Sequence, residues 1–148
     1  MGYRSDVRIR TSKKGFKKLW SFVEEYIANV NRNRKENEYT FDNLLEYCDV
    51  KIEGKDTCYF GWDSVKWYEH SGYKDVDSIM EGLDYLEESN LSYKYARIGE
   101  SYEDYDEFEF ESEDEEYLEY PYLVRAFDDN VEEISKTEVQ EVECEIIN

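Results

Sequence analysis

SDVRIRTSKKGFKKLWSFVEEYIANV, residues 5–30, changes its apolar period part-way along, and that change decides the fold class. Val7 and Ile9 alternate with Arg8 and Arg10, the period of two that marks a strand with one face toward a core. The next apolar residues are Phe16, Leu19, Trp20, Val23, Ile27 and Val30, which form one stripe along an amphipathic helix. Thr11 or Ser12 stands where the N-cap belongs. Lys13, Lys14, Lys17 and Lys18 crowd the first turns, the wrong end for the helix dipole. They read as a solvated face, or as cations that pair with the acidic second half or touch a partner.

The two periods recur downstream. NRNRKENEY (31–39) is polar and reads as a loop, and FDNLLEYC (41–48) as a short helix. Val50 and Ile52 alternate before EGKD, and Cys58, Phe60 and Trp62 alternate after it, which predicts a β-hairpin. WDSVKWYEHSGY (62–73) fits neither period. Asp75 is placed to cap a second helix whose stripe is Val76, Ile79, Met80, Leu83 and Leu86. Gly82 inside it costs about 1 kcal/mol relative to Ala, so it marks close packing. LSYKYARI (91–98) reads as a strand. EFEFE (107–111) reads as another, with YLEYPYLVRAF (117–127) as its partner, residues 112–116 as the turn and Pro121 at an edge or bulge. VECEI (142–146) is a last strand or a frayed end.

This order predicts an α+β fold in one domain, 1–148. An antiparallel sheet carries two main helices on one face, in the ferredoxin-like split βαβ order. An acidic β-hairpin extension (101–127) and a C-terminal tail or last strand (128–148) follow.

Charge is divided unevenly. Residues 1–74 hold 14 Lys/Arg and 12 Asp/Glu, whereas residues 75–148 hold 4 and 26, within a total of −20. Nucleic acid and anionic membranes would be repelled by the second half. SYEDYDEFEFESEDEEYLEY (101–120) has eleven acidic residues threaded with aromatics, whereas acidic disorder usually lacks them. The segment is expected to fold and present fixed negative charge to a basic surface. On a strand, Glu107, Glu109 and Glu111 would form a row about 6.6 Å apart, able to take positions built to grip phosphates. The plainer alternative is an acidic edge that keeps a strand soluble.

Catalytic and metal motifs are missing from the sequence. His70 is the sole histidine, with no nucleophile motif beside it. Cys48, Cys58 and Cys144 form no CxxC pair, and their spacing matches no zinc pattern. From Asp104, an EF-hand loop would need a ligand where Phe108 stands and a glycine where Glu109 stands. The expectation is a non-enzyme with no cofactor and no metal. The odd cysteine count and the polar start GYRSDVRIRT point to a reducing bacterial cytoplasm.

GYRSDV (2–7), the pair Trp67 and Tyr68, and YARIGE (95–100) resemble small proteins encoded by phages and prophages of Gram-positive bacteria. The resemblance covers roughly the first hundred residues and brings no catalytic residues. In size, charge and apparent origin the chain is also similar to acidic anti-CRISPR and anti-restriction inhibitors, several of which imitate DNA. That analogy implies an inhibitor of a host nucleic-acid-binding defence enzyme, with a CRISPR effector of the Cas9 type as the favoured partner. The partner-binding residues would be Glu103, Asp104, Asp106, Glu107, Glu109, Glu111, Glu113, Asp114, Glu115 and Glu116, with Tyr102, Tyr105 and Tyr117 as rim anchors. The alternative is a nucleotide- or metabolite-binding module, a sponge for a defence signal, with a pocket of Trp62, Trp67, Tyr93, Tyr95 and Arg97.

Overall fold

The computed structural model describes residues 2–69, 72–118, 122–123 and 127–129. Strand β1 (Ser5–Ser12) runs into helix α1 (Lys13–Arg32). Ser12 caps that helix by accepting the Gly15 N–H at 3.0 Å. A short 3-10 turn (Leu44–Tyr47) leads to β2 (Val50–Glu53), which forms a hairpin with β3 (Thr57–Val65). Helix α2 (Lys74–Glu88) follows, then β4 (Tyr93–Ile98) and β5 (Tyr105–Phe110). Tyr122–Leu123 (β6) and Phe127–Asp128 (β7) form a separate two-stranded ladder.

The class is α+β. The main sheet is antiparallel throughout, in the order β2-β3-β1-β4-β5. β1, first in sequence, is central in space. Val7, Ile9, Phe60, Trp62 and Tyr95 form the core beneath α1 and α2 with Leu19, Val23, Ile27, Val76, Ile79 and Leu83. Gly82 lets the helices approach: a Cβ there would stand 2.5 Å from Leu19 Cδ1. The close packing read from this glycine is therefore present.

Two sequence expectations need correction. Asp75 is not the cap of α2. Tyr73 occupies that position without a side-chain bond, and the Asp75 carboxylate accepts the Val76 N–H from within the first turn. The acidic hairpin does not form as expected either. EFEFE pairs with β4, Phe108 opposite Tyr95 and Phe110 opposite Tyr93, so the acidic strand is the edge of the main sheet. The apolar phenylalanine face finds the core already offered by β4, and Tyr95 and Phe108 stack at 5.4 Å. The face of the sheet away from the helices is also closed. Arg8 and Arg10 are each 3% exposed and Lys94 of β4 is 1% exposed, all on the face away from the helices. VECEI, Cys144 and His70 lie outside the described residues.

Gly61 in β3 is where the second face is tightest. A Cβ there would run into the Val7 backbone carbonyl and crowd Arg8 Cδ. Backbone cannot yield as a side-chain tip can, so Gly61→Ala should cost about 3 kcal/mol or more. Gly82→Ala meets side chains that can yield, Leu19 Cδ1 and less closely Phe22, and gains helix propensity, so its net cost should stay below about 2 kcal/mol. Urea unfolding followed by tryptophan fluorescence would rank the two.

Candidate interaction surface

Arg8, Lys94 and Arg97 decide which acidic residues are free to meet a partner. A cation taken out of water must be matched by carboxylates and hydrogen bonds. Arg8 donates to Asp63 at 2.8 Å and to Asp129 at 2.9 and 3.1 Å, with further bonds to the Val7 and Trp62 carbonyls. The Phe127 ring lies 5.0 Å from its guanidinium carbon. Tyr59 donates its phenol proton to the same Asp129 at 2.7 Å. Lys94 pairs with both Glu109 and Glu111 and lies 4.5 Å from the centre of the Tyr117 ring. The segment after β5 thus carries aromatic and acidic groups to the cations of the second face, with Ser112 and Leu118 buried along it.

Arg97 forms the third node. Its guanidinium donates to Asp104 at 2.7 Å, to Asp106 at 2.8 Å and to Ser5 Oγ at 2.9 Å. The quoted resemblance motifs meet beside it. The Tyr3 N–H donates to the Tyr68 hydroxyl at 2.6 Å, and the Tyr3 hydroxyl donates to Asp104 at 2.5 Å. The Arg4 N–H donates to Glu100 at 2.6 Å. A Cβ on Gly99 would strike the Asp104 carboxylate and the Tyr3 hydroxyl. The residues of GYRSDV, Tyr68 and YARIGE therefore fasten the start of β1 to the end of β4.

The thirteen residues proposed for partner binding divide into two sets. Asp104, Asp106, Glu109 and Glu111 are bound to Arg97 and Lys94. Asp114 accepts from Asn90 Nδ2 at 2.7 Å, and Glu115 accepts from the Ser92 N–H and the Ser12 hydroxyl at 2.7 and 2.8 Å. Glu103, Glu107, Glu113 and Glu116 are exposed, as are Tyr102 (75%), Tyr105 (56%) and Tyr117 (65%). The even row of Glu107, Glu109 and Glu111 is therefore broken, because two of its members neutralise a buried lysine. The sequence does carry a signal for this: Lys94 and Arg97 are two of only four basic residues after position 74.

The alternative aromatic pocket is not present as expected. Trp62, Trp67, Tyr93 and Tyr95 are at most 6% exposed and belong to the core, and Arg97 is held by two aspartates. Lys14, Lys17 and Lys18 line an open groove of about 550 Å³ with Phe22 and Tyr85. Among the described residues, none of the four lysines starting α1 joins a salt bridge, so the acidic half turns to Arg8, Lys94 and Arg97 instead. No group of three or more His, Cys, Asp or Glu among the described residues is arranged to hold a metal. Burial pushes the Cys48 and Cys58 thiols up to about 11, away from thiolate chemistry. No described helix is long and apolar enough to cross a membrane.

Comparison with protein-family models, curated proteins and solved structures returns no match.

Asp129 gives the acid dependence of the second face. Burial alone would raise its carboxyl, but bonds from Arg8 and Tyr59, with the Arg8 charge, outweigh it and hold the group below its ordinary value. Such a carboxylate contributes stability that is fully present above the ordinary pKa of about 3.9 and is lost as pH falls through the lower folded value. Asp129→Asn should cost roughly 1–2 kcal/mol at pH 6. Urea midpoints measured at descending pH should show variant and wild type converging as pH falls below the ordinary carboxylate range.

Proposed function

We propose that the protein binds the nucleic-acid-gripping surface of a basic protein and blocks it by occupancy, as a phage-encoded inhibitor of a host defence enzyme would. The observation carrying this reading is the division among the carboxylates. Six of the ten acidic candidates serve the fold, through Arg97, Lys94, Asn90 and the serines Ser12 and Ser92. These bonds order the acidic segment, while Glu103, Glu107, Glu113 and Glu116 remain exposed at or near the sheet edge formed by β5.

Preordering lowers the entropy that binding must overcome. Carboxylates on an ordered frame approach arginines and lysines with their positions set, and steer the encounter over a Debye length of about 8 Å at physiological ionic strength. Tyr102, Tyr105 and Tyr117 supply exposed rings beside these charges, the residue type that anchors interfaces. A CRISPR effector of the Cas9 type is the first target to test, because its PAM-reading site depends on arginines. The inhibitor would act without bond chemistry of its own.

The clean disruption reverses only the outward charges. Converting Glu109 or Glu111 to lysine would set like charge against buried Lys94 and confuse binding with folding. Glu103→Lys, Glu107→Lys, Glu113→Lys and Glu116→Lys combined should leave the thermal melt cooperative and weaken target binding on the order of 100-fold. Wild-type affinity should fall as salt rises, and DNA should compete. Binding to the candidate nuclease, with and without saturating DNA, measures all three. Equal inhibition by the folded quadruple variant, with no competition by DNA, would remove this reading.

A further inference from the structure

A cavity of about 220 Å³ opens between α2, β4 and β5. Met80, Leu83, Tyr93 and Phe108 form its apolar walls, and Glu69, Glu81 and Asp84 contribute carboxylates. Its volume is that of roughly seven liquid waters, comparable to the non-hydrogen atoms of one long side chain. Phe108 keeps 48% of its surface exposed while stacked on Tyr95, so the ring remains open to further contact. Glu69 accepts a bond from the Tyr95 hydroxyl at 2.8 Å, and Glu81 one from Tyr26 at 3.2 Å. Among the described residues, neither Glu81 nor Asp84 pairs with a cation.

Tyr93 supplies a second, independent mark. It is only 6% exposed, yet among the described residues its hydroxyl makes no hydrogen bond. The hydroxyl oxygen itself is not sealed from solvent, so a ligand can reach it. Burial, then the charges of Glu87 and Asp84, push this phenol up to about 12, so it stays neutral and its oxygen can accept. A ligand suited to this cavity has an apolar stem, a positive head and several N–H donors.

We infer that the cavity receives an arginine side chain of the basic partner, its methylenes along Met80 and Leu83 and its guanidinium among Phe108, Asp84, Glu81 and the Tyr93 hydroxyl. Arginine fits better than lysine because its planar head stacks on an aromatic ring and donates in several directions at once. The inference rests on the occupancy reading, and it adds a specific anchor to the diffuse charge of Glu103, Glu107, Glu113 and Glu116. A partner would be recognised by one arginine placed to enter this cavity while neighbouring cations meet the outward carboxylates.

The test uses the full chain and a single-arginine probe, Nα-acetyl-arginine methylamide, followed by amide chemical shifts. Saturable changes should centre on residues 80–84, 93 and 108, with a Kd on the order of 1 mM. The citrulline analogue, similar in shape but uncharged, should bind at least fivefold more weakly. The variant Glu81→Gln with Asp84→Asn should lose at least fivefold, and Tyr93→Phe two- to threefold, each with the wild-type spectrum otherwise kept. No saturable change at these residues, equal binding of citrulline, or shifts spread evenly over all acidic positions would overturn the assignment. The quadruple lysine variant should still bind the probe within twofold. If the probe fails while that variant still loses the target, the arginine cavity falls and the occupancy reading stands. If the probe binds but reversing the outward carboxylates leaves target inhibition unchanged, the occupancy reading falls instead.

Discussion

A cation buried in the middle of a sheet has to be answered by an anion, and among the described residues three basic side chains, Arg8, Arg10 and Lys94, are buried on the face the helices do not cover. Leaving one such charge without its partner costs about 3–5 kcal/mol, a large fraction of a small domain's net stability. That constraint reaches through the chain. It draws Asp129 back to Arg8 across 121 residues, holds Glu109 and Glu111 over Lys94, and sets the rings of Tyr117 and Phe127 against the same cations. The acidic second half completes the sheet before it offers anything to a partner.

The elements were largely legible because periodicity reports which residues share a face. Ser12 as cap, the stripe from Phe16 to Ile27, the β2–β3 hairpin and the packing role of Gly82 all follow from local rules. Periodicity does not report what covers a face. Arg8 and Arg10 alternate with Val7 and Ile9 as a half-exposed strand would, yet both are buried, and the returning Phe127 and Asp129 close over Arg8. Strand pairing failed for a related reason. EFEFE and YLEYPYLVRAF looked like neighbours because they are adjacent in sequence, yet Phe108 and Phe110 had better partners in Tyr95 and Tyr93. At the candidate surface, composition located the acids but could not sort them. Asp104 and Glu103 are adjacent in sequence, but Asp104 is fixed by Arg97 and Tyr3 whereas Glu103 is exposed.

Sorting the carboxylates also reconciles two demands that usually conflict. A dense block of like charge repels itself and tends to unfold. Here Arg97 and Lys94 each bind two acids of the block, and Asn90, Ser12 and Ser92 bind two more. Interior ion pairs thus lower the repulsion within the segment while fixing the frame from which other acids project. The aromatic side chains act on both sides of that frame: Phe110 packs on the core, and Tyr102 and Tyr105 are exposed.

The place of β1 has a consequence for synthesis. β1 is translated well before its partner β4, whose residues lie 82 to 92 positions later, and Arg8 binds a carboxylate later still. At about 5–20 residues per second, the ribosome needs roughly 5 to 20 s to supply that second pairing edge. During this interval β1 has only the β2–β3 hairpin to pair with, and its arginines face a nascent chain that has not yet produced most of its acids. Residues 1–74 are nearly neutral and residues 75–148 strongly anionic, so the negative charge arrives in the same seconds in which the central strand is enclosed.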